Sequence, residues 1–396
     1  MSEELSYVIT TPYTLAKSRT GGILSRLLSR VDLELIAAQL LTPDQKTVEA
    51  YAASLLKHSN PEKPESGQLL SKYVLENMSP SEGRAHRIAI FLFRGDNAVS
   101  QLMDHVGALY PENRSIESLK GETIRDTYAD LLTDADNNVT YFEPAVLTPH
   151  SVQEARDNLK IFAGFTQKQS NIICNVEYPH PERIQRTLVI LKPDNWRERS
   201  TRPGSIIDML SRTGLRVVGT KIFRMSTADA LEFYGQVKEA LEKKLAPSVT
   251  KKAAEMLEKK FSIKLDEKTR QGLLESFGYG FAHYEFGSLV AFMSGRRPEE
   301  VPHEEWESPG TVKSMILVYE GENAIQKIRD VLGPTDPREA PGGTVRRDFG
   351  SDVMVNAVHA SDSPESAERE FGIVKIEENN FTSLALRYVE NGLGGS

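Results

Sequence analysis

One cysteine stands in 396 residues. Cys174 can form no intrachain disulfide and no cysteine-based zinc cluster, which fits a reducing compartment such as the cytoplasm. Long apolar runs are missing as well, and nothing approaches the roughly 20 residues that span a bilayer. The segment from Met1 to Ala16 has early acidic residues and no long apolar stretch, so it does not read as a secretory signal. No Walker-type glycine loop occurs, which excludes phosphate chemistry of the P-loop kind. His303-Glu-Glu-Trp-Glu lacks the second histidine of a zinc-protease helix. Positive charge is in deficit: a net charge of −8 argues against broad nucleic-acid binding, though not against a local basic pocket. What remains, 39% apolar and 26% charged, is the balance of a soluble globular protein long enough for two or more domains.

One unit is written twice. Tyr7-Val-Ile-Thr-Thr-Pro12 parallels Leu188-Val-Ile-Leu-Lys-Pro193, and Gly95-Asp-Asn-Ala-Val99 parallels Gly321-Glu-Asn-Ala-Ile325. Gly121-Glu-Thr-Ile-Arg125 parallels Gly342-Gly-Thr-Val-Arg346, and Ser151-Val-Gln-Glu-Ala-Arg156 parallels Ser363-Pro-Glu-Ser-Ala-Glu368. Each match is weak alone, but all four run in the same order, the mark of an internal repeat. The Pro-rich link Glu177–Glu182 is a natural boundary, giving domains over 1–176 and 177–396. Pro12 lies 83 positions before Gly95, whereas Pro193 lies 128 before Gly321. The second copy therefore carries an insertion near 240–283, with helices predicted over Ala246–Phe261 and Leu265–Phe277.

Elsewhere in the second copy, strands are predicted at Arg186–Lys192, Leu215–Met225, Val312–Tyr319 and Val353–His359. Helices are predicted at Gly204–Thr213, Ala228–Leu241 and Asn323–Leu332. A last helix begins at Ser363, with Pro364 at its first position. This mixture is an α+β pattern: helices laid on a small sheet, twice in tandem.

Chemistry concentrates between Arg329 and Glu370. Arg329, Thr335, Arg346 and Asn356 form a donor-rich set suited to phosphate oxygens, because an arginine offers a planar fork and a fixed charge. His359 beside them is a candidate phosphoryl acceptor, since neutral imidazole keeps one lone pair. Glu370, on the following helix, can turn back to fix the ring's tautomer.

Asn356-Ala-Val-His359-Ala-Ser361-Asp-Ser363-Pro-Glu-Ser-Ala-Glu-Arg-Glu370 closely resembles the active-site signature of nucleoside diphosphate kinases. Arg186-Thr-Leu-Val-Ile-Leu-Lys192-Pro-Asp194 resembles that family's first strand and phosphate-contacting lysine. Phe233-Tyr234, Leu332-Gly-Pro-Thr335-Asp-Pro337 and Pro341-Gly-Gly-Thr-Val-Arg346-Arg-Asp-Phe349 extend the likeness over roughly 186–376. The resemblance implies two tandem ferredoxin-like αβ sandwich modules, each with a four-stranded antiparallel sheet. It implies ping-pong transfer of a γ-phosphoryl group from a nucleoside triphosphate to a diphosphate, with His359 as nucleophile and Ser361 and Glu370 orienting it. Lys192, Tyr234, Arg329, Thr335, Arg346 and Asn356 would bind phosphates and ribose, and Val353 would cover one face of the base. Mg²⁺ would ride on the nucleotide, with no metal site in the protein itself. The implied partners are nucleoside tri- and diphosphates, with no nucleic acid and no membrane.

Three departures from the pattern stand out: Ala360 follows the histidine in place of glycine, Asn195 follows Lys-Pro-Asp in place of glycine, and Phe233 replaces a histidine. The first copy departs much further. Leu147 falls at the nucleophile position, Thr11 at that of Lys192 and Met103 at that of Arg329, while Arg125 matches Arg346. It reads as a catalytically silent copy that replaces one partner of a family dimer, an intrachain pseudo-dimer, with further homo-oligomerisation left open. The alternative reading is a nucleotide-binding pseudoenzyme whose insertion blocks turnover.

Overall fold

A computed structural model describes residues 3–391 apart from 63, 82–85, 111–120, 137 and 175. In the first half the chain runs β1 (Glu4–Thr10), α1 (Pro12–Ala16), α2 (Thr20–Arg30), β2 (Glu34–Leu41), α3 (Gln45–Lys57), α4 (Pro64–Met78), β3 (Ile88–Gly95) and α5 (Ala98–Val106). It continues through α6 (Ile124–Tyr128), the hairpin β4 (Asp130–Thr133) and β5 (Val139–Glu143), β6 (Val146–Leu147) and α7 (Val152–Thr166). The second half begins β7 (Ile184–Leu191), α8 (Arg202–Ser211), β8 (Arg216–Phe223). Helices α9 (Thr227–Phe233), α10 (Gly235–Ala240), α11 (Ala246–Phe261), α12 (Glu267–Leu273) and α13 (Tyr279–Ser294) follow. The chain closes with β9 (Ser314–Glu322), α14 (Ala324–Leu332), α15 (Val345–Phe349), β10 (Val358–Ala360), α16 (Pro364–Ile373) and α17 (Phe381–Asn391).

The repeat is a repeat of topology. One sheet has the order β2-β3-β1-β6, and the other, read from its far edge, has β8-β9-β7-β10. Register agrees to the residue: Glu4 faces Gly95 as Gln185 faces Gly321, and Thr10 faces Ala89 as Leu191 faces Met315. Unusual backbone recurs too. Asn97 (φ 51°) and Asn323 (φ 54°) are left-handed before α5 and α14, and Ala145 (φ 61°) and Ala357 (φ 67°) before β6 and β10. Asparagine tolerates that region through its short polar side chain, so its use at both helix starts follows. The central strands are apolar on both faces (Thr187–Leu191 is wholly buried), which explains the unbroken apolar run in the sequence.

Two predicted elements differ. The last strand spans Val358–Ala360 only, because Asn356 turns its amide onto Thr335 O (3.0 Å) and Val353 O (2.9 Å), and Ala357 is left-handed. The helix predicted over Ala228–Leu241 breaks at Tyr234, whose backbone (φ −100°, ψ 11°) is not helical.

The chain forms two compact units. The larger holds Met1–Ile222, Met315–Phe371 and Lys375–Ser396; the smaller holds Phe223–Ser314 and Gly372–Val374. The smaller is helical, with Ala282, Phe286, Val290 and Met293 of α13 buried and Met256 and Phe261 of α11 exposed.

Within the larger unit the halves share cores. Leu24 and Leu27 of α2 lie in one apolar cluster with Ile206 and Leu210 of α8. The two helices cross at glycines. A Cβ on Gly204 would meet Gly21 O and Ser25 N at 2.3 Å, and one on Gly21 would meet Asp208 N at 2.6 Å. Gly204→Ala is therefore expected to cost about 1–3 kcal/mol through overpacking, read as a lower urea midpoint. An unchanged midpoint would mean the helices part without penalty. Helix α17 reaches the other way: Phe381 and Ala385 are buried among Leu159, Phe162 and Ile90 of the first half. The segment before β7 pairs with β8, through an Ile172–Gly219 bridge and Ile173 N donating to Val218 O at 2.8 Å.

Candidate active site

Strand β10 sets His359 opposite Ile190 of β7, at the sheet's edge. Helix α16 then brings Glu370 back over the strand. Its start is fixed by Ser363, whose hydroxyl accepts from Ser366 N at 3.1 Å. His359 Nε2 lies 3.0 Å from Glu370 Oε2, and Ser361 Oγ donates to the same oxygen at 2.7 Å. Ser361 Oγ in turn accepts from Leu188 N at 3.3 Å, so β7 anchors the network. Glu370 and Ser361 are buried, while the imidazole is 22% exposed. A carboxylate on Nε2 fixes the proton there and puts the ring's lone pair on Nδ1.

Beside this chain stands a buried ammonium. Lys192 directly follows β7 and donates from Nζ to Asn356 Oδ1 at 2.7 Å and to Met354 O at 3.2 Å. Burial, and then the field of Arg346, push its pKa down to about 8. Arg346 bridges Gly333 O (2.8 Å) and Val358 O (3.2 Å), the latter being the residue before the histidine. Burial and the neighbouring Arg329 lower Arg346 to about 10. Asp362 is held below the usual carboxylate range by a Ser366 hydrogen bond, with Arg329 and His359 adding to the effect. Lys192 and Arg346 thus lie in each other's field, as do Arg346 and Arg329, and Asp362 feels both Arg329 and His359.

Of the predicted residues, the structure joins His359, Ser361 and Glu370 in one network and Lys192 and Asn356 in a second, with Arg346 holding the strand between them. Thr335 and Val353 meet the second network through their carbonyls, and their side chains, like that of Arg329, are exposed. Tyr234 belongs to the smaller unit, where it is buried against Phe233 with ring centroids 4.9 Å apart. Two expected departures find reasons. Ala360 is not among the left-handed residues, so it needs no glycine. Asn195 is buried and donates to Lys192 O (3.1 Å) and Ala357 O (2.7 Å), fastening the loop that presents the lysine. Sequence reasoning missed the support beneath that loop, where Asp194 pairs with Arg202 at 3.2 Å and Arg202 donates to Phe349 O at 2.7 Å. The only sequence signal was an Asp and an Arg close by in a turn.

The first copy keeps the frame and lacks the chemistry. Leu147 faces Ile9 as His359 faces Ile190. Arg125 bridges Gly107 O (2.6 Å) and Val146 O (3.3 Å), the counterparts of the carbonyls that Arg346 holds. Thr11, standing for Lys192, donates to the buried carboxylate of Glu143 at 2.8 Å, which also accepts from Tyr73 OH (2.6 Å) and Ala145 N (2.9 Å). An anion of the protein's own lies beside the position where the second copy puts a cation.

The nucleoside diphosphate kinase family profile matches residues 185–255 and 307–379, the first segment ending within α11. A nucleoside diphosphate kinase of Halorhodospira halophila is 33% identical over 187 residues, which are 47% of this chain and 89% of that protein. One from Staphylothermus marinus is 33% identical over 190 residues, 48% of this chain and 92% of that protein. The solved NDP kinase of Pyrobaculum aerophilum is 27% identical with a TM-score of 0.33, over 48% of this chain and 94% of that one. The chain belongs to the nucleoside diphosphate kinase family.

Proposed function

We propose that the second half, residues 177–396 with its helical insertion near 240–283, is a nucleoside diphosphate kinase domain and that residues 1–176 form a silent partner domain. The observation that carries this is the pairing of His359 with Glu370 and Ser361 beside the Lys192–Asn356–Arg346 group. In the first half-reaction the Nδ1 lone pair attacks the γ-phosphorus of a nucleoside triphosphate. The bond to the β–γ bridging oxygen breaks, and the diphosphate leaves with that electron pair. The proton on Nε2 stays, and Glu370 balances the charge that grows on the ring. A second diphosphate then takes the phosphoryl group by the reverse path. Lys192, Arg329 and Arg346 supply positive charge along the phosphates, Thr335 supplies a hydroxyl donor, Asn356 holds Lys192 in place, and Val353 lies along the base.

Among the described residues no group of three or more His, Cys, Asp or Glu lies where it could hold a metal. Mg²⁺ bound to the nucleotide's own oxygens would supply further charge neutralisation. No helix among them is long and apolar enough to cross a membrane, and we place the reaction in the cytoplasm. The crossing of α2 and α8 at Gly21 and Gly204 supports reading the two halves as a dimer built into one chain.

Incubation with γ-labelled ATP tests the reading. Acid-labile, base-stable label is expected on the wild type, absent from His359→Ala and chased off by a different diphosphate. Nucleotide binding without label would instead support a pseudoenzyme, and label passing to another protein would point to a protein phosphotransferase.

A further inference from the structure

A cavity of about 460 Å³ lies where the two halves meet inside the larger unit. That volume is in the range of small-molecule sites. It shares no residue with the candidate active site: His359, Lys192, Arg346 and Glu370 all lie outside its lining. Its walls are apolar. Leu15 and Ala16 of α1 come to it from the first half, and Leu215 and Val217 from the second, all four still partly open to solvent. Phe91 of β3 and Leu317 of β9 lie deeper.

Two guanidinium groups share this apolar hollow. Arg87 directly precedes β3 and is half-buried, and Arg216 opens β8 and is exposed. Arg87 Nη1 donates to Val217 O at 2.9 Å and Arg216 Nη1 to Glu177 O at 3.3 Å, so each is tied to a neutral carbonyl. The Arg216 guanidinium also lies 5.0 Å from the ring centroid of Tyr178. Among the described residues neither arginine is ion-paired with a carboxylate. Burial, and then the field of Arg216, lower the pKa of Arg87, so the two cations repel each other. The carboxylate that Arg87 feels, Glu320, is itself buried and bonded to Arg186.

The occupant must answer both features. A neutral apolar molecule would leave two like charges facing each other across a poorly hydrated space. An inorganic anion would satisfy the guanidinium forks and leave the walls wet. A carboxylate on an alkyl tail does both: its head bridges two planar forks, and its tail leaves water against the apolar lining.

We propose that the cavity between the halves binds a medium-chain fatty acid, with the carboxylate held by Arg87 and Arg216 and the tail against Phe91, Val217 and Leu317.

Calorimetry on the full chain with octanoate, decanoate and decanol, each below its micelle or solubility limit, tests this. Decanoate is expected to bind at one equivalent. It should bind about tenfold tighter than octanoate, because two more methylenes leave water. Decanol, with no charge for the arginines, should bind at least tenfold more weakly than decanoate. Arg87→Met and Arg216→Met are each expected to weaken decanoate at least tenfold and to leave decanol unchanged. Ser211→Phe, which places a ring on the cavity lining, should weaken both ligands. A wild-type urea midpoint shows that the variants fold, whatever the second half does with nucleotides. Decanoate should also raise the midpoint of the unaltered chain, a readout that needs no variant. No binding of decanoate, equal affinity for decanoate and decanol, or decanoate affinity unchanged in both arginine variants overturns the proposal. Uptake of many equivalents without saturation overturns it too.

Discussion

Replacing His359 by alanine is expected to lower nucleotide exchange by on the order of 10⁴-fold or more, because the phosphoryl group then has no covalent stop between two nucleotides. A stronger expectation concerns the other half of the chain. Adding Leu147→His to that variant should restore nothing, although Leu147 sits in the register of the nucleophile. A histidine there would have Asn158 at the position of Glu370, and Asn158 already donates to Tyr7 OH at 2.8 Å. It would face Thr11 in place of Lys192, Met103 in place of Arg329, and the buried Glu143. Transfer requires positive charge around three phosphoryl oxygens, and one imidazole cannot supply it. A steady-state exchange assay with ATP and a second diphosphate decides both points. Residual exchange above about one part in 10³ in His359→Ala, or recovery on adding the second substitution, would contradict the assignment of roles.

Lys192→Met should separate stability from activity. The ammonium is buried, and burial drags its pKa from 10.5 to about 8. Between those two values the unfolded chain binds more protons than the folded one, so stability rises with pH across that window. Below about pH 8 the full penalty of a charged, buried lysine is present. It amounts to at most about 3 kcal/mol, less what the Asn356 hydrogen bond returns. Lys192→Met removes the penalty and strands one asparagine oxygen. It is expected to gain about 1–2 kcal/mol at pH 7, with the gain passing through zero and becoming a loss of about 1–2 kcal/mol as pH approaches 10.5. Exchange should fall about 10²–10³-fold, the usual loss for one group that neutralises transition-state charge. Urea melts at several pH values together with exchange rates read both. A variant less stable than wild type at pH 7 would show that Lys192 is a structural cation.

Much of this site could be read from residue order, since local geometry carries it. Ser363, four residues after His359, caps a helix that starts at Pro364, so Glu370 falls on its second turn and reaches back to the ring. The inserted helix Ala246–Phe261 was legible from its period, and the sheets from buried apolar runs closed by Gly-Asp-Asn and Gly-Glu-Asn. Contacts closed over long separations were not legible. Glu143 meets Thr11 across 132 positions, and nothing near either residue announces it. The use of Arg346 was half hidden. An arginine in a phosphate-binding signature suggests free donors, yet both terminal nitrogens hold backbone carbonyls, and the silent copy makes the same clamp with Arg125. That pairing became visible only when two carbonyls from distant loops were seen side by side.

The exchange of α17 has a consequence for how such a chain can change. Phe381 and Ala385 complete the interior of the first half, and Asn171, just ahead of the link, donates to Ile376 O and Thr220 O of the second. Severing the gene at the duplication seam would leave one fragment with an open interior and the other with an orphaned apolar helix. On the proposed reading the first copy is thus not baggage awaiting deletion. Its continued folding is expected to be a condition for the second copy to stay in solution, and mutations that soften its interior are expected to register as lost enzyme.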